Sequence, residues 1–502
     1  MSIVQVPIYT TESFRSDSTA KDSRFKNCFL EVAISSEGNL SSAQRVQRFF
    51  ATKRFGVSQH LDTGYVAEGR GIVSWRSTLF SVIGDRVFAG TGEISFSGNR
   101  LATTTSPVQF SKVANNGGVV IKAANELWQI TPSTSAVSGY AVSGYAVSGN
   151  DSITQFNFAK LTDADIPGNL VHGVVYLDQY TFVGDAQGYI YNSALADVTS
   201  WTQGERLLAQ LESDQNVAIV KHLNYLVALG EWTTEFFYDA ANPQGSPLLP
   251  LQGSMHHVGC AAGATVFADE DTVIWLGKSK SGGLQVVVLN GMQVQPISNP
   301  YIEKIIAHEE ATLSTVYAWG GRIQGHLLYF LTLPTLDKTF VYNLSTQTWS
   351  EFTSYTGSTE SYFKYIGFTE LAGQYYTLHR SDGKIGKMDF DLYTDYTGAV
   401  QTEVVTNKIS LGTVRNKVLR RLIVLGDAAT STSTVTVDWT DDDYITWSTA
   451  RTVDLSKTNP SLYALGRFQR RAFRLKHTGN VPLRIEGLEL NISENSYEGG
   501  NR

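Results

Sequence analysis

Thr339-Phe-Val-Tyr-Asn-Leu-Ser-Thr-Gln-Thr-Trp349 has the form of a strand carrying aromatics, a turn through residues 343–348, and a closing Trp. Asn, Ser and Thr in the turn can bond their own backbone, which fixes where the chain reverses. Trp349 is then placed to fill the gap beside the next unit, as the last hairpin of a repeated blade does. Related segments recur at Gly230-Glu-Trp-Thr-Thr-Glu-Phe-Phe-Tyr238, Asp271-Thr-Val-Ile-Trp-Leu-Gly277 and Ser381-Asp-Gly-Lys-Ile-Gly-Lys-Met-Asp-Phe390. Around them, short apolar runs alternate with Gly, Asn and Asp, as at 71–83 and 86–89, 171–176 and 180–183, 217–220 and 225–228, and 264–268 and 273–276. Runs this short, bounded by turn residues, read as strands.

The chain is therefore mainly β, with a β-propeller over residues 70–399. Blades of roughly 40–50 residues give about six or seven of them. Residues 1–69 are more polar and are expected to contribute to a platform or attachment, and 400–502 to form an additional β-rich platform domain. Helical periodicity is confined to 41–52, which opens on Ser41, and to 300–308, where Tyr301, Ile302, Ile305 and Ile306 would share a face. The repeated Ala-Val-Ser-Gly-Tyr of 136–150 predicts a flexible low-complexity loop within the propeller.

With 502 residues and 11% aromatics the chain can bury large cores, and only 17% charged residues argues against disorder. Forty Lys and Arg against 47 Asp and Glu give a net charge of -7, unlike a protein that grips phosphates over most of its surface. Two cysteines, Cys28 and Cys260, cannot form a disulfide framework, and a reducing origin fits. The amino terminus lacks the basic and apolar stretches of a secretory signal, and no run approaches the ~18 apolar residues of a membrane span, so no stable membrane anchoring is expected.

Chemistry-bearing motifs are sparse. No strand, Gly-rich loop and helix occur in the order that a nucleotide site or nucleophile elbow needs. His256, His257 and the group His308-Glu309-Glu310 lack the i, i+4 spacing of a helical zinc site and read as structural. Asp389, Asp391 and Asp395 read as a turn rather than a calcium loop, and Asp441-Asp442-Asp443 as a hairpin tip. No catalytic residue, cofactor or metal is expected. The sharper candidates are basic residues toward the two ends: Arg45, Arg48, Lys53, Arg54, Arg467, Arg470 and Arg471, read as facing DNA phosphates or a neighbouring subunit, against the plainer reading of solvated or acid-paired faces.

In serial order these features resemble the tail hub or nozzle family of short-tailed bacteriophages, also called packaged-DNA stabilisation proteins or tail accessory factors. The resemblance begins with Asn27-Cys-Phe-Leu-Glu31 and Lys53-Arg-Phe-Gly56, where Phe55 replaces the family's usual Pro. It continues through Gly69-Arg-Gly71, Tyr176-Leu-Asp-Gln-Tyr180, Tyr191-Asn-Ser193, Asp197, Trp201, Glu205, Leu229-Gly230, Glu235, Tyr238 and Gly259-Cys260, then 271–277, 342–349, Gly466-Arg467 and Phe473-Arg-Leu475. It implies a non-enzymatic virion component, assembled in the bacterial host cytoplasm. Six copies would form a ring below the portal and adaptor proteins, carry tailspikes or fibres, and let double-stranded DNA pass non-specifically through the lumen. A net-acidic lumen suits sliding, since it repels the DNA backbone.

Two alternatives compete. A receptor-binding or polysaccharide-degrading propeller would need converging carboxylates, for which Glu231, Glu235 and Asp239 are candidates by proximity in sequence. A kelch-like cellular scaffold would need a regular Gly-Gly and Trp in every blade, which is absent.

Overall fold

The computed structural model describes residues 2–9, 24–34, 47–95, 98–114, 117–133, 156–209, 214–242 and 244–494. Arg45 and the 136–150 repeats lie outside them. Seven antiparallel four-stranded units follow one another around an axis, the upper value of the sequence count. They begin with Gly69–Trp75, Gln109–Val113, Val175–Leu177, Asn216–His222, Phe267–Asp269, Tyr317–Ile323 and Tyr365–Leu371. In the fifth, Gly259–Cys260 and Phe267–Asp269 share one partner strand, Thr272–Lys278. These first strands touch in succession, and the seventh touches the first, so the ring is closed.

Apolar clusters between blades hold it together. Val73, Phe80 and Val82 of blade one pack on Ile121, Trp128 and Phe158 of blade two. The 339–349 hairpin behaves as its sequence reads: Tyr342 lies opposite Trp349 with ring centroids 4.9 Å apart. Trp349 shares a cluster with Ile274, Leu276 and Val286 of blade five, and its Nε1 donates to the Ile297 carbonyl at 2.7 Å.

Blade seven is completed by a strand from far upstream. Gly56–Leu61 pairs with Ile385–Asp389, placing Val57 opposite Met388 and Gly56 opposite Asp389. A Cβ on Gly56 would lie 2.3 Å from the Thr394 carbonyl oxygen, so only glycine fits at this entry. Closing a ring with its own distant ends removes the open sheet edge a linear meander would leave.

The termini meet in a second unit. Ser2–Pro7, Cys28–Ile34 and Gln47–Lys53 share a sheet with Lys417–Gly426, Ser461–Tyr463, Arg467–Phe468 and Arg484–Glu494. Opposite it stand Arg24–Lys26, Thr402–Val405, Thr434–Thr440, Arg451–Asp454 and Ala472–His477. Phe25, Leu30, Leu419, Val435, Phe473 and Leu488 fill the space between the two layers. One parallel pairing, Lys26 opposite Glu351, joins this unit to blade six.

Two local readings change. The described part of 41–52 is the strand Gln47–Lys53, because pairing with Cys28–Ile34 and with Arg484 and Ile485 outweighs a weak helical pattern. The run 71–83 is two strands, reversing at Arg76 and Ser77 with φ of 46° and 56°. Both left-handed residues match the twist of a two-residue hairpin, but neither is the Gly or Asn that marks such a turn in a sequence. The helix Pro300–His308 is present. Asn299 Oδ1 accepts from the Ile302 amide at 3.0 Å as its cap, and Ile302, Ile305 and Ile306 are buried.

Candidate functional site

The propeller axis narrows to a cavity of about 230 Å³ where the first strands begin. Its wall includes Ile72, Gln109, Phe110, His172, Phe267, Trp319 and Phe368, drawn from most of the blades. The rings come close because their neighbours are glycines: a Cβ on Gly71 would meet Phe110 at 2.7 Å, and one on Gly321 would meet Phe368 at 2.3 Å. Trp319 stacks on Phe330 with centroids 4.0 Å apart.

Buried cations surround this apolar core. Arg70 is fully buried and donates to the carbonyls of Gly84, Thr103 and Ser106 and to the Thr103 hydroxyl, at 2.6–2.8 Å. Burial, then the neighbouring Arg380, lowers it to about 10. Arg380 pairs with Glu68 and donates to the carbonyls of Gly69 and Thr105. Lys122, opposite Gln109 in register, is 4% exposed, and burial pushes its ammonium down to about 8. His172 is held neutral, near 3, first by burial and then by the Lys122 charge. None of these four was a sequence candidate. The available signal was Gly118-Val-Val-Ile-Lys-Ala123, a lone charge in a strand apolar on both faces.

The six basic candidates among the described residues do not form one surface. Arg54 is 0% exposed and all five of its N–H groups are satisfied inside the protein. Arg471 is 2% exposed: its fork grips Asp441 at 2.7 Å and it donates to the carbonyls of Leu465 and Arg467. Lys53, also 2% exposed, donates to the Gly479 carbonyl at 2.7 Å and lies 3.2 Å from His477 Nδ1. These three are interior groups and cannot face DNA or a neighbour in this fold. Burying a guanidinium or ammonium group is costly unless its donors find acceptors, and these three have interior acceptors. Arg48 stays at the surface, bridged to Glu486. Arg467 and Arg470 are exposed and form no ion pair among the described residues.

The Lys53 arrangement makes stability pH-dependent. Burial, reinforced by the Arg54 charge, lowers Lys53 to about 7, and burial with Lys53 lowers His477 to about 4. Both bases are favoured neutral in the fold, so the unfolded chain binds more protons and stability rises with pH. The rise runs from about 4 to 6.5 for His477 and from about 7 toward 10 for Lys53. Melting temperatures of the wild type are expected to climb between pH 7 and 8.5, and Lys53→Met to flatten that climb. An unchanged slope in the variant would remove Lys53 as its source.

The carboxylates proposed for hydrolysis do not converge. Glu231 sits in the turn before the strand Thr234–Asp239 and pairs with Lys278, while Asp239 ends that strand and accepts from Ala241. The strand between them, five steps from Thr234 to Asp239, by itself spans about 16 Å at ~3.3 Å per residue. A glycosidase pair needs roughly 5–10 Å. Glu235 is buried within the strand, near Asp214, which accepts from the amides of Trp232 and Thr233. His256 Nε2 lies 2.8 Å from the Met292 carbonyl, and Asp395 serves Arg54. Asp442 accepts from Thr446 and Thr440 at the hairpin tip, which holds it down to about 2. Among the described residues no three His, Cys, Asp or Glu side chains gather as a metal set.

No curated protein matches the chain at a significant level. Among solved structures, the Pan2 WD40 domain of Neurospora crassa is 12% identical, covering 67% of this chain and 95% of its own, with a TM-score of 0.37. BamB of Moraxella catarrhalis is also 12% identical, covering 77% and 97%, with a TM-score of 0.35. A family model described as bacteriophage P22 Gp10, β-propeller, matches residues 41–393, which spans the whole ring and its closing strand. With well over half its length matched, the chain belongs to that phage structural propeller family.

Proposed function

We propose that this protein is the tail hub or nozzle of a short-tailed phage. Six copies form a ring below the portal and adaptor, seal the packaged DNA, and serve as its ejection conduit. The observation that carries this reading is the family match over residues 41–393. The fold constrains how the conduit is built. An axial cavity of about 230 Å³ ringed by aromatics admits no duplex, whose major groove alone is about 12 Å wide. DNA therefore runs between copies, in a lumen framed by their outer faces. The net charge of -7 suits a lumen that repels phosphates and lets DNA slide.

Exposed Arg467 and Arg470 are proposed to meet an acidic face of a neighbouring subunit, and other surfaces to carry tailspikes or fibres. Assembly takes place in the host cytoplasm, and the protein has no enzymatic step to perform. Electron microscopy of the protein mixed with portal–adaptor complexes from the same particle tests this. A sixfold ring of density below the adaptor is expected. A protein that stays monomeric and unbound beside the complexes would end the nozzle reading.

A further inference from the structure

Next to the axial cavity, on the strand paired with its wall residue Gln109, lies a positive charge that the fold leaves uncompensated. The two arginines beside it are accounted for: Arg70 by four oxygen acceptors, Arg380 by Glu68 and two carbonyls. Lys122 is different. It is 4% exposed, and among the described residues it has no hydrogen bond and no carboxylate partner. Opposite it, Gln109 forms part of the cavity wall and holds a buried Oε1 with no donor. Its electrostatic neighbour His172, also in the wall, is neutral and offers no counter-charge. An unpaired charge in a low-dielectric interior is costly, and natural interiors supply such charges with a partner.

We propose that the axial cavity binds a carboxylate borne on a single apolar or aromatic body, with Lys122 as the charge partner and Phe110, Phe267 and Phe368 as the walls. The wall chemistry selects the body. Aromatic rings from three blades offer apolar contact and few donors, which suits a monoanion and not a phosphate that needs several donors at once. The volume selects the size, since about 230 Å³ falls below the roughly 300–1,000 Å³ of drug-sized pockets and suits one ring. Such a group is available both as a free small carboxylate and as the last residue of another chain. The inference goes beyond the ring-forming role and stands whether or not that role is correct.

Titration calorimetry and ligand-detected saturation-transfer NMR on the full chain, with phenylacetate as probe and phenylacetamide as its neutral control, test the site. Phenylacetate is expected to bind saturably at one site. The amide, and phenylacetate with Lys122→Met, are expected to bind about 10–100-fold more weakly, the loss of one charge-assisted contact. Met fills the space of the lysine stem without its charge, so the variant should fold. If it does not, Phe267→Leu provides the second test, with a several-fold weakening expected from the altered wall. A free-acid Gly-Gly-Phe tripeptide that binds more tightly than phenylacetate identifies a chain end as the natural source, and one that binds no better identifies a free carboxylate. No saturable binding of phenylacetate, or equal affinity for the amide and in Lys122→Met, overturns the proposal.

Discussion

Arg54→Ala is expected to cost about 3–5 kcal/mol, the loss seen when one member of a buried ion pair is removed and the other is stranded. The guanidinium sits between the terminal unit and blade seven. Nη1 and Nη2 donate to Asp395 at 3.0 and 2.7 Å, Nε donates to Asn27 Oδ1 at 2.9 Å, and the carbonyls of Phe55 and Thr353 take the remaining two hydrogens. The Phe363 ring lies 4.9 Å below the cation. Asn27 extends the network, since its Nδ2 donates to the Thr353 hydroxyl and the Gln401 carbonyl at 2.8 Å each. Ala at 54 would strand the Asp395 carboxylate, with only the Val57 amide still donating to it, and remove the guanidinium donors from two carbonyls and from Asn27 Oδ1, which keeps only the Thr353 amide.

Against a total stability of typically 5–15 kcal/mol, such a loss leaves the fold marginal. Arg54→Lys keeps the charge but not the planar fork, and is expected to fall between the wild type and Arg54→Ala. Urea unfolding followed by circular dichroism measures all three. A loss below about 1 kcal/mol for Arg54→Ala would mean that water or rearrangement satisfies the network, contrary to the five-bond geometry.

What could be read ahead of the structure divides along the distance between partners. The 339–349 hairpin was legible because every contact that shapes it is local: Tyr342 meets Trp349 across seven residues, and turn residues mark the reversal. The helix Pro300–His308 announced itself through the spacing of Ile302, Ile305 and Ile306. Arg54 was misread because its carboxylate is 341 positions away, and a basic residue in a polar segment looks like a surface residue until that partner is known. Arg471 was misread for the same reason. Asp441, the first acid of the 441–443 tip, is its partner, so two features weighed separately are one buried pair. Lys122 went unremarked because a single charge in a strand gives no motif, and only closure of the blades around it shows that it has no partner among the described residues. Short apolar runs bounded by turn residues set the class of fold, since blade strands such as Gly118–Ala123 are buried on both faces. The ring closure, a pairing between residues 56–61 and 385–389, left no trace in either segment alone.

That closure leads to the second large effect. A chain starting at residue 70, where the polar segment gives way in the sequence to the propeller, is expected to yield no soluble folded protein. It lacks Gly56–Leu61, so blade seven would expose the edge of Ile385–Asp389, and it loses Val57, which is completely buried among Tyr365, Leu378 and Met388. It also lacks Arg54, and strands that fill the layer beside Arg484–Glu494. Cutting the same connection without removing the segment should be harmless. Residues 62–66 form an exposed link, with Gly64 at φ 71° and Val66 largely open to solvent. Inserted sequence is tolerated best at such sites. With a protease recognition sequence placed between Thr63 and Gly64, the cleaved chain is expected to elute from gel filtration as one species containing both fragments, and to part only in denaturant. The pairing of 56–61 with blade seven, the Arg54 network and the shared sheet all cross the cut, so the fragments are joined by contacts that do not depend on the peptide bond. If the amino-terminal fragment falls away in native buffer while the remainder stays folded, the ring closes without its upstream strand, and the extended edge of blade seven is stable on its own.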